Sequence, residues 1–232
     1  MKLNILLVCA CIVMSVFLCS CSSDNTGKLT ERDKIELAKR DSAKAAAKNS
    51  DIIGEKFEIT NGVNAVGDTI KAVTVDNGKL IPDALSYTVT KTGIYSDIAE
   101  VGINEDELNL EDSSILDKNG KLKSSVKFFA AEITVKNLKA ALEMNITDMD
   151  LVYCNSESMS KEADISTIAL PVYFSEQNKT EKDYYEYNLA IGQSKKVKVG
   201  WYLDTEKYDV SNVYLAFNTY LDEYRSFVKP EF

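Results

Sequence analysis

The sequence predicts a mainly β protein, built as an antiparallel β-sandwich and preceded by a short helix and an apolar N-terminus. From residue 57 onward, short β-prone segments alternate with turn signals, which is typical of a sandwich. Hydrophobic residues make up 45% of the 232 residues, enough for a sizeable core. Residues 1–21 are almost wholly apolar after a short basic start, as in an export signal.

The apolar N-terminus ends in Leu18-Cys19-Ser20-Cys21. The run over residues 3–18 is shorter than the roughly 20 residues of a membrane-spanning helix. Residues 18–21 resemble the lipobox of bacterial lipoproteins, in which a small residue precedes the lipid-bearing cysteine. Cys21 fits best, because bulky Leu18 precedes Cys19; an ordinary cleaved signal is the alternative. We predict a signal peptide over 1–20 and a diacylglycerol- and palmitate-bearing Cys21, which anchors the protein to the extracytoplasmic face of the cell membrane.

Residues 21–50 are predicted to form a tether. A small, polar linker occupies residues 22–29. Residues 31–48 are rich in Ala, Lys, Glu and Arg, and a helix of that length would span roughly 27 Å. We interpret it as a semi-rigid spacer. A partner-binding helix or short coiled coil is the alternative.

Residues 51–232 are predicted to form one domain of seven to nine short strands. Residues 76–79 (DNGK) carry a hairpin signal. In residues 168–174, Pro171 predicts an edge or a bulge. The predicted strands cover residues 66–75, 85–92, 127–137, one or two within 142–154, 168–174, 195–203 and 210–220.

The acidic stretch of residues 97–125 is predicted to be a long solvated loop with at most one short element. Calcium, which prefers oxygen ligands, is the functional alternative. The EF-hand spacing is absent, however, and residues 117–120 (DKNG) are typical of a turn. We therefore predict no metal site.

Composition argues against catalysis. The chain has no histidine, which removes the commonest general base and the commonest transition-metal ligand. It also lacks a phosphate loop, a dinucleotide fingerprint and a nucleophile elbow. We predict a protein that is not an enzyme, with no catalytic residues and no cofactor; a carboxylate-based hydrolase is the alternative.

Charge and cysteine usage narrow the partners. The net charge of −9 argues against a nucleic-acid partner and against electrostatic binding to anionic lipid. Cys154 is the one cysteine beyond Cys21, so the mature chain cannot form an internal disulfide. Its apolar surroundings over residues 149–154 predict a buried thiol.

Two motifs carry a family resemblance. Residues 134–137 (TVKN) end one predicted strand, and residues 189–194 (LAIGQS) form a turn before another. With residues 66–69 (VGDT), this order is similar to the immunoglobulin-like domains of unknown function in lipoproteins of Firmicutes, the DUF4352 and DUF5027 type. The resemblance covers roughly residues 55–225, and the long segment over 76–125 favours DUF5027. It implies an extracytoplasmic immunoglobulin-like fold and no catalytic residues.

Aromatic residues are the candidate ligand contacts. Tyr184, Tyr185 and Tyr187 cluster in a polar segment, and we expected Trp201 to lie beside them. Exposed aromatics can hold a sugar or a peptide, but cross-strand packing is the interpretation we favour; if there is a binding surface, these four residues are the first candidates. The predicted function is non-catalytic binding or scaffolding of a protein or envelope polymer. An accessory subunit or inhibitor in an envelope or export system is the alternative.

Overall fold

The computed structural model describes residues 63–76, 79–108, 115, 119, 122–140, 143–145, 149–155, 164–177, 186–218 and 225–232. The predicted signal peptide, the lipidated cysteine and the helical tether all lie outside the described residues. Short 3₁₀ turns lie at Ile98–Val101, Glu105–Glu107 and Val210–Asn212. The strands are β1 Val63–Asn64, β2 Thr69–Asp76, β3 Lys79–Tyr95, β4 Val126–Asn137, β5 Glu143–Asn145, β6 Met149–Cys154, β7 Ile165–Ala169, β8 Tyr173–Phe174, β9 Glu186–Asn188, β10 Ser194–Asp204, β11 Val213–Phe217 and β12 Ser226–Val228.

Ten of these strands form two five-stranded sheets. Sheet A has the order β1-β12-β11-β6-β7, and sheet B has the order β2-β3-β4-β10-β8. Neighbouring strands are antiparallel, apart from the parallel pair β1 and β12. The remaining two strands, β5 and β9, form a separate ribbon.

The strand order confirms the immunoglobulin-like sandwich. In chain order, β3, β4, β10 and β8 occupy the places of strands A, B, E and D of that fold. Strands β6, β7, β11 and β12 occupy the places of C, C′, F and G in the opposite sheet. Strand β2 is an addition at the edge of sheet B, joined to β3 by a hairpin.

The core lies between the two sheets. Alternate residues of the long strands β4 and β10 point inward, because successive side chains of a strand face opposite sides. Ile133 and Val199 are fully buried in this way. Tyr87 of sheet B packs on Phe217 of sheet A with ring centroids 5.1 Å apart, so aromatic contacts join the two sheets.

The described part of the acidic stretch differs from the solvated loop that we predicted. It contains two 3₁₀ turns, each with a capping box, in place of at most one short element. Ile103 is only 3% exposed, because its side chain packs on the outer face of sheet B. The acidic residues are spaced so that apolar residues between them can form this second hydrophobic layer, which the local sequence did not indicate.

The predicted strand over residues 168–174 is wrong as a single element. The structure has two strands there, β7 in sheet A and β8 in sheet B. Pro171 lies between them, where its missing N–H removes no ladder hydrogen bond. The chain therefore crosses from one sheet to the other at this proline.

Most other strand predictions are confirmed. Strands β4 and β10 match the predicted ranges to within one residue at each end. Asp76 pairs with Lys79, which confirms the hairpin. Cys154 is buried, as predicted. Strands β1, β9 and β12 were missed, since two or three residues are too few to show alternation.

Candidate functional site

The structure describes two of the four residues of the predicted aromatic site. Tyr184 and Tyr185, like Cys21, lie outside the described residues. Tyr187 belongs to β9 and pairs with Met144 in the separate ribbon. Trp201 is 0% exposed, and its ring packs on Phe129 in the core at a centroid distance of 5.6 Å. This corrects the expected surface position of Trp201, because a fully buried indole is not available to a ligand at the surface.

A different surface stands out on the outer face of sheet B. In β10, Val197 and Val199 point into the core, so Lys196 and Lys198 point outward. The same alternation operates in β2, β3 and β4. It places five lysines on this one surface, which we call the lysine face: Lys71, Lys91, Lys136, Lys196 and Lys198.

Strand register arranges the lysine face in rows that run across the strands. Residues directly opposite one another on neighbouring strands lie about 4.5–5.5 Å apart. Two of the rows also contain serine or threonine hydroxyls, and the hydroxyls of Thr69 and Thr88 lie 2.8 Å apart. The rows are Lys71–Ser86–Lys136–Ser194, Thr69–Thr88–Thr134–Lys196 and Lys91–Glu132–Lys198.

These rows carry an excess of positive charge. Glu132 is the one acidic residue among them. Asp83 lies at the border and approaches Lys71 at 3.4 Å, but the two side chains are 64% and 45% exposed. An ion pair in that setting contributes about 1 kcal/mol or less, so it leaves Lys71 free to bind another anion. The lysine face is thus locally basic in a chain of net charge −9.

A cleft of about 250 Å³ lies where the lysine face meets the 3₁₀ turn Ile98–Val101. Lys198 Nζ donates a hydrogen bond of 2.9 Å to the carbonyl of Val101, which holds this turn against the sheet. The carboxylate of Glu100 accepts hydrogen bonds from Ser96 N and Asp97 N, so it is occupied in capping the turn. The lining residues are Lys91, Tyr95, Glu100, Val101, Ala130, Ala131, Glu132 and Lys198.

Beyond the cleft, the outer face of sheet B becomes apolar. Phe128 and Tyr202 pack there edge to face, 5.5 Å apart. Burial raises the pKa of Tyr202 to about 12, with smaller contributions from the carboxylates of Glu105 and Asp97. Burial, followed by nearby Glu107 and Glu176, likewise raises the pKa of Tyr173. Both phenols therefore stay protonated near neutral pH. The apolar half of the outer face of sheet B is covered by packed side chains and is not available to a ligand.

Two further properties concern the described residues. Among them, no three His, Cys, Asp or Glu side chains come together in a way that could hold a metal ion. Within the same ranges, no helix has the length and apolar character needed to cross a membrane.

Sequence reasoning missed the lysine face, although part of its signal was visible. The segment 195–203 alternates Lys196 and Lys198 with valines. That pattern places two lysines on one side of one strand. The remaining lysines join them only through the register of β2, β3 and β4, which depends on residues far apart in the chain.

Fold and surface together define a β-sandwich protein of the immunoglobulin-like class with a basic, hydroxyl-rich sheet face. The chain belongs to the DUF5027 family, a domain of unknown function, whose profile matches residues 62–232. The comparison with curated protein sequences found no significant match.

Two solved structures are similar to this chain at low identity. One is the yjhA protein from Bacillus subtilis, which is 14% identical with a TM-score of 0.38 and covers 73% of this chain and 100% of its own. The other is an uncharacterized beta-sandwich protein from Clostridium difficile 630, which is 15% identical with a TM-score of 0.37 and covers 77% of this chain and 99% of its own.

Proposed function

We propose that this chain is a lipoprotein of the Firmicutes type and acts as a non-catalytic binding module outside the cytoplasm. The diacylglycerol on Cys21 anchors it to the membrane, and the immunoglobulin-like sandwich is presented above the surface. The lipobox-like sequence at residues 18–21 supports the anchor.

The observation that carries the binding role is the lysine face. Polar and charged side chains usually cover sandwich surfaces, but here positive charge is concentrated on one sheet face beside a cleft. The described part of the acidic stretch covers the neighbouring apolar half and leaves these rows exposed or half-buried. A flat, exposed and charge-selective surface is suited to recognising an extended partner.

The anchor is tested by replacing cysteines in the full-length chain. Cys21→Ser should abolish acylation and release the protein from the membrane fraction. Cys19→Ser, two residues away, is the matched control and should leave acylation and membrane association unchanged. Mass spectrometry and fractionation give the readout. An unmodified Cys21 in the native protein, or membrane retention of Cys21→Ser, would overturn the anchor.

The binding role is tested by photocrosslinking in intact cells. A photoreactive residue at Ser194, on the lysine face, should crosslink to envelope material. The same residue at Glu206, which is exposed at the opposite end of β10, is the control and should not. Equal labelling from both positions, or none from either, would contradict a binding role for this face.

A further inference from the structure

We propose that the lysine face binds a linear polyanion, a chain whose phosphate or carboxylate groups recur at short, regular intervals. This inference rests on the binding role proposed above but not on the lipid anchor. It assigns a chemical class of ligand to the rows around Lys136, Lys196 and Lys198.

Charge determines which surface of the protein attracts the ligand. The three rows hold five lysines against Glu132 alone, whereas the whole chain has a net charge of −9. A polyanion is therefore attracted to this face and repelled by the acidic surface elsewhere. Clustered charge of one sign on a sheet also raises the local concentration of its counter-ion and the rate of association.

Spacing matches a repeating ligand better than a single small anion. Lys196 and Lys198 follow one another on the same side of β10, which places their Cα atoms roughly 7 Å apart. Lys136 lies on the neighbouring strand β4, opposite Ser194 and therefore diagonal to Lys196, at a separation of about 7–8 Å. Successive anionic groups of a polymer can therefore contact successive lysines.

The surface between the lysines completes the match. Thr69, Thr88 and Thr134 form one row. Because the Thr69 and Thr88 hydroxyls are hydrogen-bonded to each other, that pair has one hydrogen left to donate to an anionic oxygen, and Thr134 can donate another. The cleft beside Lys91 and Lys198 is also lined by Glu100 and Glu132, so the exposed rows and not the cleft hold the anionic groups. Since the rows contain lysine and no arginine, point charge decides recognition, and phosphate and carboxylate are both accepted.

A polymer fits this face better than a membrane does. Surfaces that bind anionic lipid usually combine basic residues with large apolar side chains that enter the bilayer. None of the three rows contains an exposed large hydrophobic residue. The exposed large hydrophobics among the described residues are elsewhere: Val63, Leu122, Ile191 and Phe232.

The test compares two double variants of the full-length protein, purified in detergent. Lys136→Gln with Lys196→Gln removes two exposed lysines from the face. Lys123→Gln with Lys207→Gln removes two exposed lysines at the opposite end of sheet B, so the change in net charge is the same. The probes are long-chain inorganic polyphosphate, poly-glutamate and vesicles containing phosphatidylglycerol.

We expect polyphosphate to bind the wild-type protein in low salt. The face variant should bind at least ~10-fold more weakly, and its slope of log Kd against log salt should fall by about 1.4. The control variant should stay within about twofold of the wild type. Comparable binding of poly-glutamate would assign the site to polyanions in general, and preference for polyphosphate would assign it to phosphate chains; either result supports the proposal.

Three results would overturn it: no binding of either polymer, equal weakening in both double variants, or binding of vesicles without binding of the polymers. Detergent keeps the protein in solution whether or not Cys21 carries a lipid. These binding results therefore do not depend on acylation of Cys21. Crosslinking from Ser194 in cells, without polymer binding in solution, would leave the binding role intact and remove only this ligand class. Failure of both would remove the binding role as well.

Discussion

The side-chain amide of Asn137 donates a hydrogen bond of 2.6 Å to the carbonyl of Leu189. Asn137 ends β4, and Leu189 opens the turn that leads into β10. Two backbone bonds reinforce the contact, from Asn137 N to Gln193 O and from Gly192 N to Asn137 O. The TVKN and LAIGQS segments, which carry the family resemblance, are therefore the two halves of one hydrogen-bonded unit.

Replacing Asn137 with alanine should lower the free energy of unfolding by about 2–4 kcal/mol. The side chain is fully buried, and its oxygen also accepts a bond of 2.8 Å from Ala140 N. Alanine would leave the buried Leu189 carbonyl and Ala140 amide without these partners. Urea denaturation measures the loss. Asn155→Ala, at an exposed site, should cost less than about 1 kcal/mol, and a similar cost for both variants would contradict the assignment.

Gly200→Ala should destabilise the protein by about 1–3 kcal/mol through overpacking. A Cβ atom at position 200 would lie 2.1 Å from Cζ of Phe128, whose ring covers the glycine on the outer face of sheet B. Thermal unfolding measures the cost. Combining the change with Phe128→Leu should recover part of it, because leucine lacks the clashing ring edge. Strictly additive effects in this double-mutant cycle would argue against the contact.

Trp201→Ala should cost about 3–5 kcal/mol, as expected for truncating a large buried aromatic side chain. Any loss of ligand binding in this variant would accordingly report unfolding and not a surface contact. Trp201→Phe should cost much less, because it keeps most of the packing and removes an indole N–H that has no hydrogen-bond partner within the described part of the chain. Urea denaturation of both variants checks this. A well-folded, stable Trp201→Ala protein would show that the core does not depend on the indole.

Stability should fall at alkaline pH because of Tyr202. Below pH 10 the phenol is protonated in both the folded and the unfolded state. Between pH 10 and about 12 the unfolded chain releases the proton first, since burial raises the folded pKa to about 12. The free energy of unfolding should drop by up to about 2–3 kcal/mol across this interval.

The comparison variant for this pH effect is Tyr202→Phe, which keeps the ring against Phe128 and has no proton to lose. Its unfolding free energy should decline less steeply than that of the wild type between pH 10 and 12. Lysines also titrate in this interval, so the informative quantity is the difference between the two proteins. Parallel curves would show that Tyr202 does not contribute.

Local patterns predicted the individual strands well where alternation was long. In β4, Phe129, Ile133 and Val135 are buried as the period of two requires. The positive φ of Gly192, at 86°, confirms that its turn needs a glycine. The partnership of Asn137 with Leu189 could not be read in the same way, because 52 residues separate them. The role of Pro171 could also be predicted only in part. The local sequence indicates an edge or a bulge, whereas the structure shows that the chain crosses from one sheet to the other at this residue.

The candidate functional residues also fall into two groups, those identified from the sequence and those identified from the structure. The lipidation prediction for Cys21 and the aromatic segment at Tyr184 and Tyr185 come from the sequence and remain predictions. The lysine face and the burial of Trp201 come from the structure.

By itself the sequence determined most of the longer strands, the main turns and the β-sandwich class, since hydrophobic alternation and turn chemistry act between near neighbours. Only the tertiary structure decided which strands lie side by side, which half of sheet B is covered and which lysines share a surface. Register between strands, set by packing of the whole core, brings together residues that no local pattern relates.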